Sequence, residues 1–235
     1  MTSRTASGGR VALVTGGSRG LGRALITRLA AEGWRVVTDG RNREALSRAT
    51  AVLPGATGLP GDVADPAHRA QLVAAITRLG RLDLLVNNAS SLGPTPLPAL
   101  ADVDPADMAR VLAVNTLAPL ALIQPLLPLL RRSGGRIVDV SSDAAVQAYG
   151  GWGAYGASKA ALDQLTAVLG VEEPQVRVYA LDPGDMATDM HRAAAPDDEG
   201  LPTPESVVPA IMRLVEENLP SGRYRAQALA SAVTR

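Results

Sequence analysis

The sequence contains no cysteine, which excludes disulfides, thiolate catalysis and cysteine-ligated metal centres. Histidine is nearly as scarce. His68 and His191 are the only two, they lie far apart, and neither sits in a metal-ligand pattern, so no metal is expected. Neither sign of charge is in excess, since Lys plus Arg and Asp plus Glu each number 23. That balance argues against a nucleic-acid partner and against an anionic membrane surface. Residues 1–9 form a short polar stretch without an apolar h-region, which reads as a disordered tail and not as a secretory signal. Long hydrophobic runs are also wanting. The most membrane-like stretch, 111–130, holds Asn115, Gln124 and the prolines 119, 125 and 128. Its cleaner apolar core, 117–130, is too short to span a bilayer and reads as a buried helix. A soluble, cytoplasmic protein is expected. Lysine is the last scarcity: Lys159 is the only one in the chain.

Hydrophobic residues make up 46% of the 235, enough for a substantial core in one domain. Short β-branched runs predict strands at 10–15, 34–38, 57–59, 82–86, 136–140 and 176–181, with a further one near 224–226. Helical spacing predicts helices at 21–31, 44–53, 67–79, 105–131, 154–169 and 206–217. Gly33, Gly80 and Gly170 read as helix stops, and the prolines inside 105–131 should kink that helix. Strands alternating with helices imply right-handed crossovers and an α/β, doubly wound parallel sheet in a single domain spanning 1–235. Such a sheet binds ligands beyond the carboxyl ends of its strands.

A glycine loop follows the first strand: Thr15, Gly16, Gly17, Ser18, Arg19, Gly20, Leu21 and Gly22. Glycines there permit a tight turn and close approach of backbone to a pyrophosphate, and the helix that opens next offers free N–H groups to an anion. The loop resembles the T-G-x-x-x-G-x-G motif of the short-chain dehydrogenase/reductase family in its basic, single-domain form. Further motifs fall in that family's order over residues 10–226. The resemblance implies a Rossmann fold, with Asp62 and Val63 at adenine and Asn88 and Ala89 shaping the floor of a dinucleotide site. Pro183, Gly184, Met186 and Thr188 would hold the carboxamide end of a nicotinamide. Asn115, Ser142, Tyr155 and Lys159 would be the catalytic four. Two departures are that Ser90 replaces the usual glycine of N-N-A-G and that the stretch 169–176 is short.

The choice of nicotinamide turns on the end of the second strand. An acid about 20 residues past the glycine loop binds a ribose hydroxyl in NAD enzymes, and Asp39 could be that acid. The discriminating position of the family falls on Gly40, however, with Arg41 next, and alternation turns Asp39 away from Gly40. Arg19 and Arg41 would then flank a 2′-phosphate, so NADP(H) is expected over NAD.

Tyr155 and Lys159 are four apart at the start of a helix and share one face. A nearby ammonium and an oxidised nicotinamide would lower the phenol's pKa and make Tyr155 an acid/base. A chain that uses arginine for every other fixed cation keeps its one lysine here. Ser142 precedes Tyr155 by thirteen positions, as in the resembled family, and would orient a substrate oxygen. The resemblance further implies that Asn115 would hold a water linking Lys159 to solvent. Ser142, Trp152, Tyr155 and Met190 are the candidate substrate contacts. These residues point to a small-molecule carbonyl/alcohol oxidoreductase. A noncatalytic dinucleotide sensor and an epimerase or dehydratase on the same fold stay open. The broad apolar surface of 105–131 predicts a homodimer or homotetramer, and the proline- and acid-containing segment 185–204 predicts a substrate lid.

Overall fold

In the computed structural model, which describes residues 9–231, the first strand is Val11–Val14 (β1). Most of the expected tail, 1–8, and the last four residues lie outside the described residues. Side chains of β1 alternate between two cores: Ala12 and Val14 enter one, Val11 and Leu13 the other. The other strands are Arg35–Gly40 (β2), Ala56–Pro60 (β3), Leu84–Asn87 (β4), Arg136–Val140 (β5), Arg177–Asp182 (β6) and Gly222–Arg225 (β7). They form one sheet in the order β3-β2-β1-β4-β5-β6-β7, with every pairing parallel. Both faces are buried, as parallel sheets require.

One face is covered by helices Gly20–Ala31 (α1) and Val208–Glu216 (α8), through Leu25, Ile26, Leu29, Ile211 and Leu214. Helices Pro66–Leu79 (α3) and Ala118–Ser133 (α5) cover the other, through Leu72, Ile76, Leu122, Leu126 and Leu130. The remaining helices are Arg43–Thr50 (α2), Pro105–Leu112 (α4), Gly153–Glu172 (α6), Asp189–Ala194 (α7) and Ala226–Ser231 (α9). The helical stretch Pro105–Ser133 is long and apolar enough, by length and composition, to cross a membrane. In the fold Leu122, Ile123, Leu126, Leu129 and Leu130 of this stretch pack into the core, and Leu117 is exposed.

The strand order reverses between β1 and β4, so the loops after those strands diverge and leave a crevice at their carboxyl ends.

The structure corrects several expectations. The helical stretch that contains 105–131 is continuous from Pro105 to Ser133, and its irregularity is a π turn over Ala113–Leu117, ahead of Pro119, Pro125 and Pro128. Pro119 has no N–H to return to the carbonyl four residues back, at Asn115, which favours the widened turn there. Gly170 does not end its helix, which runs on to Glu172. A Cβ at Gly170 would lie 3.0 Å from the Ser221 Cβ, so this glycine serves close packing. The last strand stops at Arg225, and Ala226 begins α9. The segment 185–204 contains α7, which the sequence patterns missed.

Candidate active site

Helix α1 begins at Gly20 with no side-chain cap and no acid in its first turn. Helices α2, α3 and α4 are capped by Asn42, Asp65 and Asp104. A helix N-terminus without a side-chain cap, beneath a glycine loop, suits an anion. The loop is held open by its own packing. Gly16 has φ +72°, and a Cβ on Gly22 would come within 2.3 Å of the Gly16 carbonyl oxygen. Thr15 Oγ1 accepts from the N–H groups of Asn88 and Ala89, both at 3.0 Å, and Asn88 Nδ2 donates to the Thr15 carbonyl at 2.8 Å. The loops after β1 and β4 are thereby stitched together.

A cleft of about 1130 Å³ runs from this loop along the sheet edge. Most residues singled out in the sequence line it: Arg19 and Arg41 at one end, Asp62 and Val63 beside them, and Ser142, Trp152, Tyr155, Lys159 and Met190 at the other. Ser18, Asn88, Ala89, Pro183, Gly184, Met186 and Thr188 lie between. Thr15, Gly17, Gly22 and Asn115 do not line it, and Asn115 is buried at 1% exposure.

Asp39, the rival acid for a ribose, is 1% exposed and held by protein groups. Its Oδ1 accepts from the Gly16 N–H at 2.7 Å, and Oδ2 pairs with His68 Nε2 at 3.0 Å. Gly40 faces the other way, and a Cβ there would stand 2.9 Å from Ser18 Oγ. Arg41 is exposed, whereas Arg19 forms an ion pair with Asp189 of α7 at 3.1 Å.

At the other end, Tyr155 packs edge-on against Trp152, with ring centroids 5.6 Å apart. Ser142 Oγ donates to Asp143 Oδ1 at 3.0 Å and accepts from the Ala144 N–H at 3.1 Å. Asp143 in turn accepts from the Tyr149 hydroxyl at 2.6 Å. Lys159 is buried, donates to the Val140 carbonyl at 2.7 Å, and lies 5.5 Å from the centre of the Tyr155 ring. Burial pushes the phenol up to about 12, against the pull of hydrogen bonds from Ser90 and Ser142. The chain's own groups alone leave the phenol above its ordinary value. Burial likewise brings Lys159 down to about 8, while the charges of Asp139 and Asp163 oppose the fall.

The side chain of Asn115 is saturated. Its Oδ1 accepts from Ser90 Oγ (3.2 Å) and the Ser91 N–H (2.8 Å), and its Nδ2 donates to the Ser91 carbonyl and Ser158 Oγ, both at 2.9 Å. No side-chain site remains for a water.

Asp139 was missed in the sequence, because a strand acid gives no sign of facing inward. Its carboxylate accepts from Asn87 Nδ2 and Thr166 Oγ1, each at 2.7 Å. Burial raises its pKa from 3.8 to about 6 despite those bonds. Ionising it costs more in the folded chain than in the unfolded one, so this group removes stability as pH rises from about 4 to about 6. We expect Asp139→Asn to match the parent below that window and to gain about 3 kcal/mol on it above. Melting curves from acid to neutral pH check this, and a constant difference across the range would refute it.

Residues 10–199 match the family model for short chain dehydrogenases. The chain belongs to the short-chain dehydrogenase family. This oxidoreductase is 36% identical over 214 residues to a rhamnolipids biosynthesis 3-oxoacyl-[acyl-carrier-protein] reductase of Pseudomonas aeruginosa, covering 86% of this chain and 82% of that one. It is 36% identical over 201 residues to the sepiapterin reductase of Meriones unguiculatus, covering 78% and 77%. Among solved structures, a short-chain dehydrogenase from Shigella flexneri complexed with NADP superposes with a TM-score of 0.83 at 31% identity, covering 93% of this oxidoreductase and 97% of that chain.

Proposed function

We propose that this chain is an NADP(H)-dependent oxidoreductase that interconverts a carbonyl and a secondary alcohol, with Tyr155 as the acid/base. The observation that carries the reading is that Ser142, Tyr155 and Lys159 share one cleft with an uncapped helix N-terminus. A nicotinamide bound there would supply or accept the hydride. The N–H groups of the glycine loop and α1 suit its pyrophosphate, and Asp62, Val63, Asn88 and Ala89 suit its adenosine half. Pro183, Gly184, Met186 and Thr188 suit the carboxamide end. In reduction, Ser142 turns its hydroxyl from Asp143 to the substrate oxygen and Tyr155 gives its proton to the developing alkoxide. Lys159 places a positive charge beside the phenolate that is left. With its side chain saturated, Asn115 would serve a water only through its backbone carbonyl. Trp152 and Met190 give the substrate an apolar wall.

The relatives named above are both reductases, one of a 3-oxoacyl chain, which favours a ketone. A panel of ketones, aldehydes and alcohols, followed by nicotinamide absorbance, tests the reading. Net absorbance change separates it from an epimerase or dehydratase. Binding without turnover of any compound would favour a sensor.

The preference for NADP(H) rests on the commitment of Asp39 to Gly16 and His68, and on the free end of Arg41. Replacing Arg41 with Ala should weaken NADPH binding by roughly tenfold or more, the loss of a charged hydrogen bond, and leave NADH nearly unchanged. Titration of both dinucleotides checks this, and tighter binding of NADH by the parent protein would reverse the choice.

The exposed Leu117, Val168 and Val171 support a homodimer or homotetramer. The lid reading of 185–204 is supported by Met186, Met190 and His191, which line the cleft from that segment. A cytoplasmic setting suits a chain whose long apolar helical stretch covers its own sheet.

A further inference from the structure

Ser90 stands where the resembled loop carries glycine. Among the described residues no non-glycine has positive φ, so the serine causes no backbone strain. What it adds is a hydroxyl at the reacting atom. Ser90 and Ser142 line the cleft with Tyr155, and both hydroxyls pull the phenol's pKa down against its burial. Ser90 Oγ also reaches Asn115 Oδ1 at 3.2 Å. The Asn115 amide cannot turn away, because its Nδ2 is held by the Ser91 carbonyl and Ser158 Oγ. Ser158 Oγ donates back to the Tyr155 carbonyl at 2.6 Å, which closes the network on the helix turn that carries the phenol.

We propose that Ser90 is a positioning residue for the acid/base, its hydroxyl turning from Asn115 Oδ1 to the Tyr155 oxygen when that oxygen becomes a phenolate. The inference rests on the reading of Tyr155 given above. A serine hydroxyl has one proton to donate. While Tyr155 is a phenol, that proton goes to Asn115. Once Tyr155 has passed its own proton to the alkoxide, the phenolate is the stronger acceptor and draws the Ser90 proton round. Asn115 Oδ1 is not orphaned by the change, since the Ser91 N–H stays on it at 2.8 Å. No buried polar group is left unpaired in either state, so the reorientation costs little. Glycine at this position would leave the phenolate with one fewer side-chain donor.

The charged groups around the phenol are few. Lys159 faces it from α6, and Asp143 and Asp182, after β5 and at the end of β6, oppose its ionisation. Trp152 and Met190 are uncharged, as are the hydroxyls of Ser90 and Ser142. Loss of the Ser90 donor should therefore raise the phenol's pKa, with no other titrating group on its side to take its place.

The experiment compares the parent with Ser90→Ala, Ser90→Val and Ser90→Thr, each as the full chain with NADP⁺. Threonine and valine share a shape and differ in the hydroxyl. Two readouts are taken: the pH profile of kcat/KM for alcohol oxidation, and a near-ultraviolet tyrosinate titration blanked against Tyr155→Phe. We expect Ala and Val to move both curves up by about one pH unit and to lower kcat/KM roughly tenfold on the acid side, with Thr close to the parent. Unshifted curves in Ala and Val would overturn the proposal, whatever the loss of rate, because a packing defect lowers activity without moving the titration. A shift in Thr equal to that in Val would overturn it too. Full activity in Tyr155→Phe would instead remove the acid/base reading itself.

Discussion

Tyr155→Phe should bind dinucleotide as the parent does and turn over at least about 10²-fold more slowly. The ring is retained, so its edge-on contact with Trp152 and its packing with Leu92 and Ala144 persist. The hydroxyls of Ser142 and Ser90 are held by Asp143 and Asn115, so no buried donor is stranded. What is lost is the proton itself. Neither of its two neighbours in the proposed mechanism can replace it. Ser142 is not acidic enough, and the Lys159 ammonium points at the Val140 carbonyl, 2.7 Å away. Single-turnover measurements separate chemistry from release. A near-normal rate of the chemical step would remove Tyr155 from the mechanism.

Lys159→Arg is the second large effect. The substitution conserves charge and follows the chain's own preference for arginine, so at a surface site it would be silent within about ±0.5 kcal/mol. Lys159 is 2% exposed, and a guanidinium is larger, planar and forked. Crowding it into this space should cost about 1–3 kcal/mol of stability. The fork would also meet the ribose and spread its charge away from the phenol. We expect a folded protein that melts lower, binds NADPH more weakly and has kcat/KM reduced at least about tenfold, or ~1.4 kcal/mol of transition-state stabilisation. The pH dependence should change in two ways. With Lys159 held near 8, the parent loses its buried charge as pH rises through that value. An arginine keeps its charge, so that limb should vanish from cofactor binding, while the optimum for alcohol oxidation moves upward. Kinetics across pH, with melting curves, check this. Parental behaviour would make the single lysine an accident of composition.

Features with a local cause were legible. The short apolar, β-branched runs of β1 and β5 and the helical spacing in α1 and α3 are properties of neighbouring residues, and so is the four-residue step from Tyr155 to Lys159. The glycine loop was equally plain, because close approach of backbone to backbone permits no side chain at Gly22. Gly170 misled for the related reason that a glycine needed by a distant partner, Ser221, looks the same in sequence as one that ends a helix. The helices α7 and α9 are six residues each and carry too little periodicity to be seen.

The amino-acid sequence by itself determined the doubly wound class, the place of the cleft at the strand ends and the choice of Tyr155 and Lys159 as the candidate acid/base pair. Each follows from residue type and short-range spacing. Only the tertiary structure decided what those residues are joined to. It put Asp39 under Gly16 and against His68, 29 positions away. It brought Ser90 to Asn115 and Tyr155, and it buried Asp139 near Lys159. Hydrogen-bond partners and burial depend on chain segments that meet only when the sheet is assembled. The polarity of a site is therefore set by contacts that no local pattern encodes.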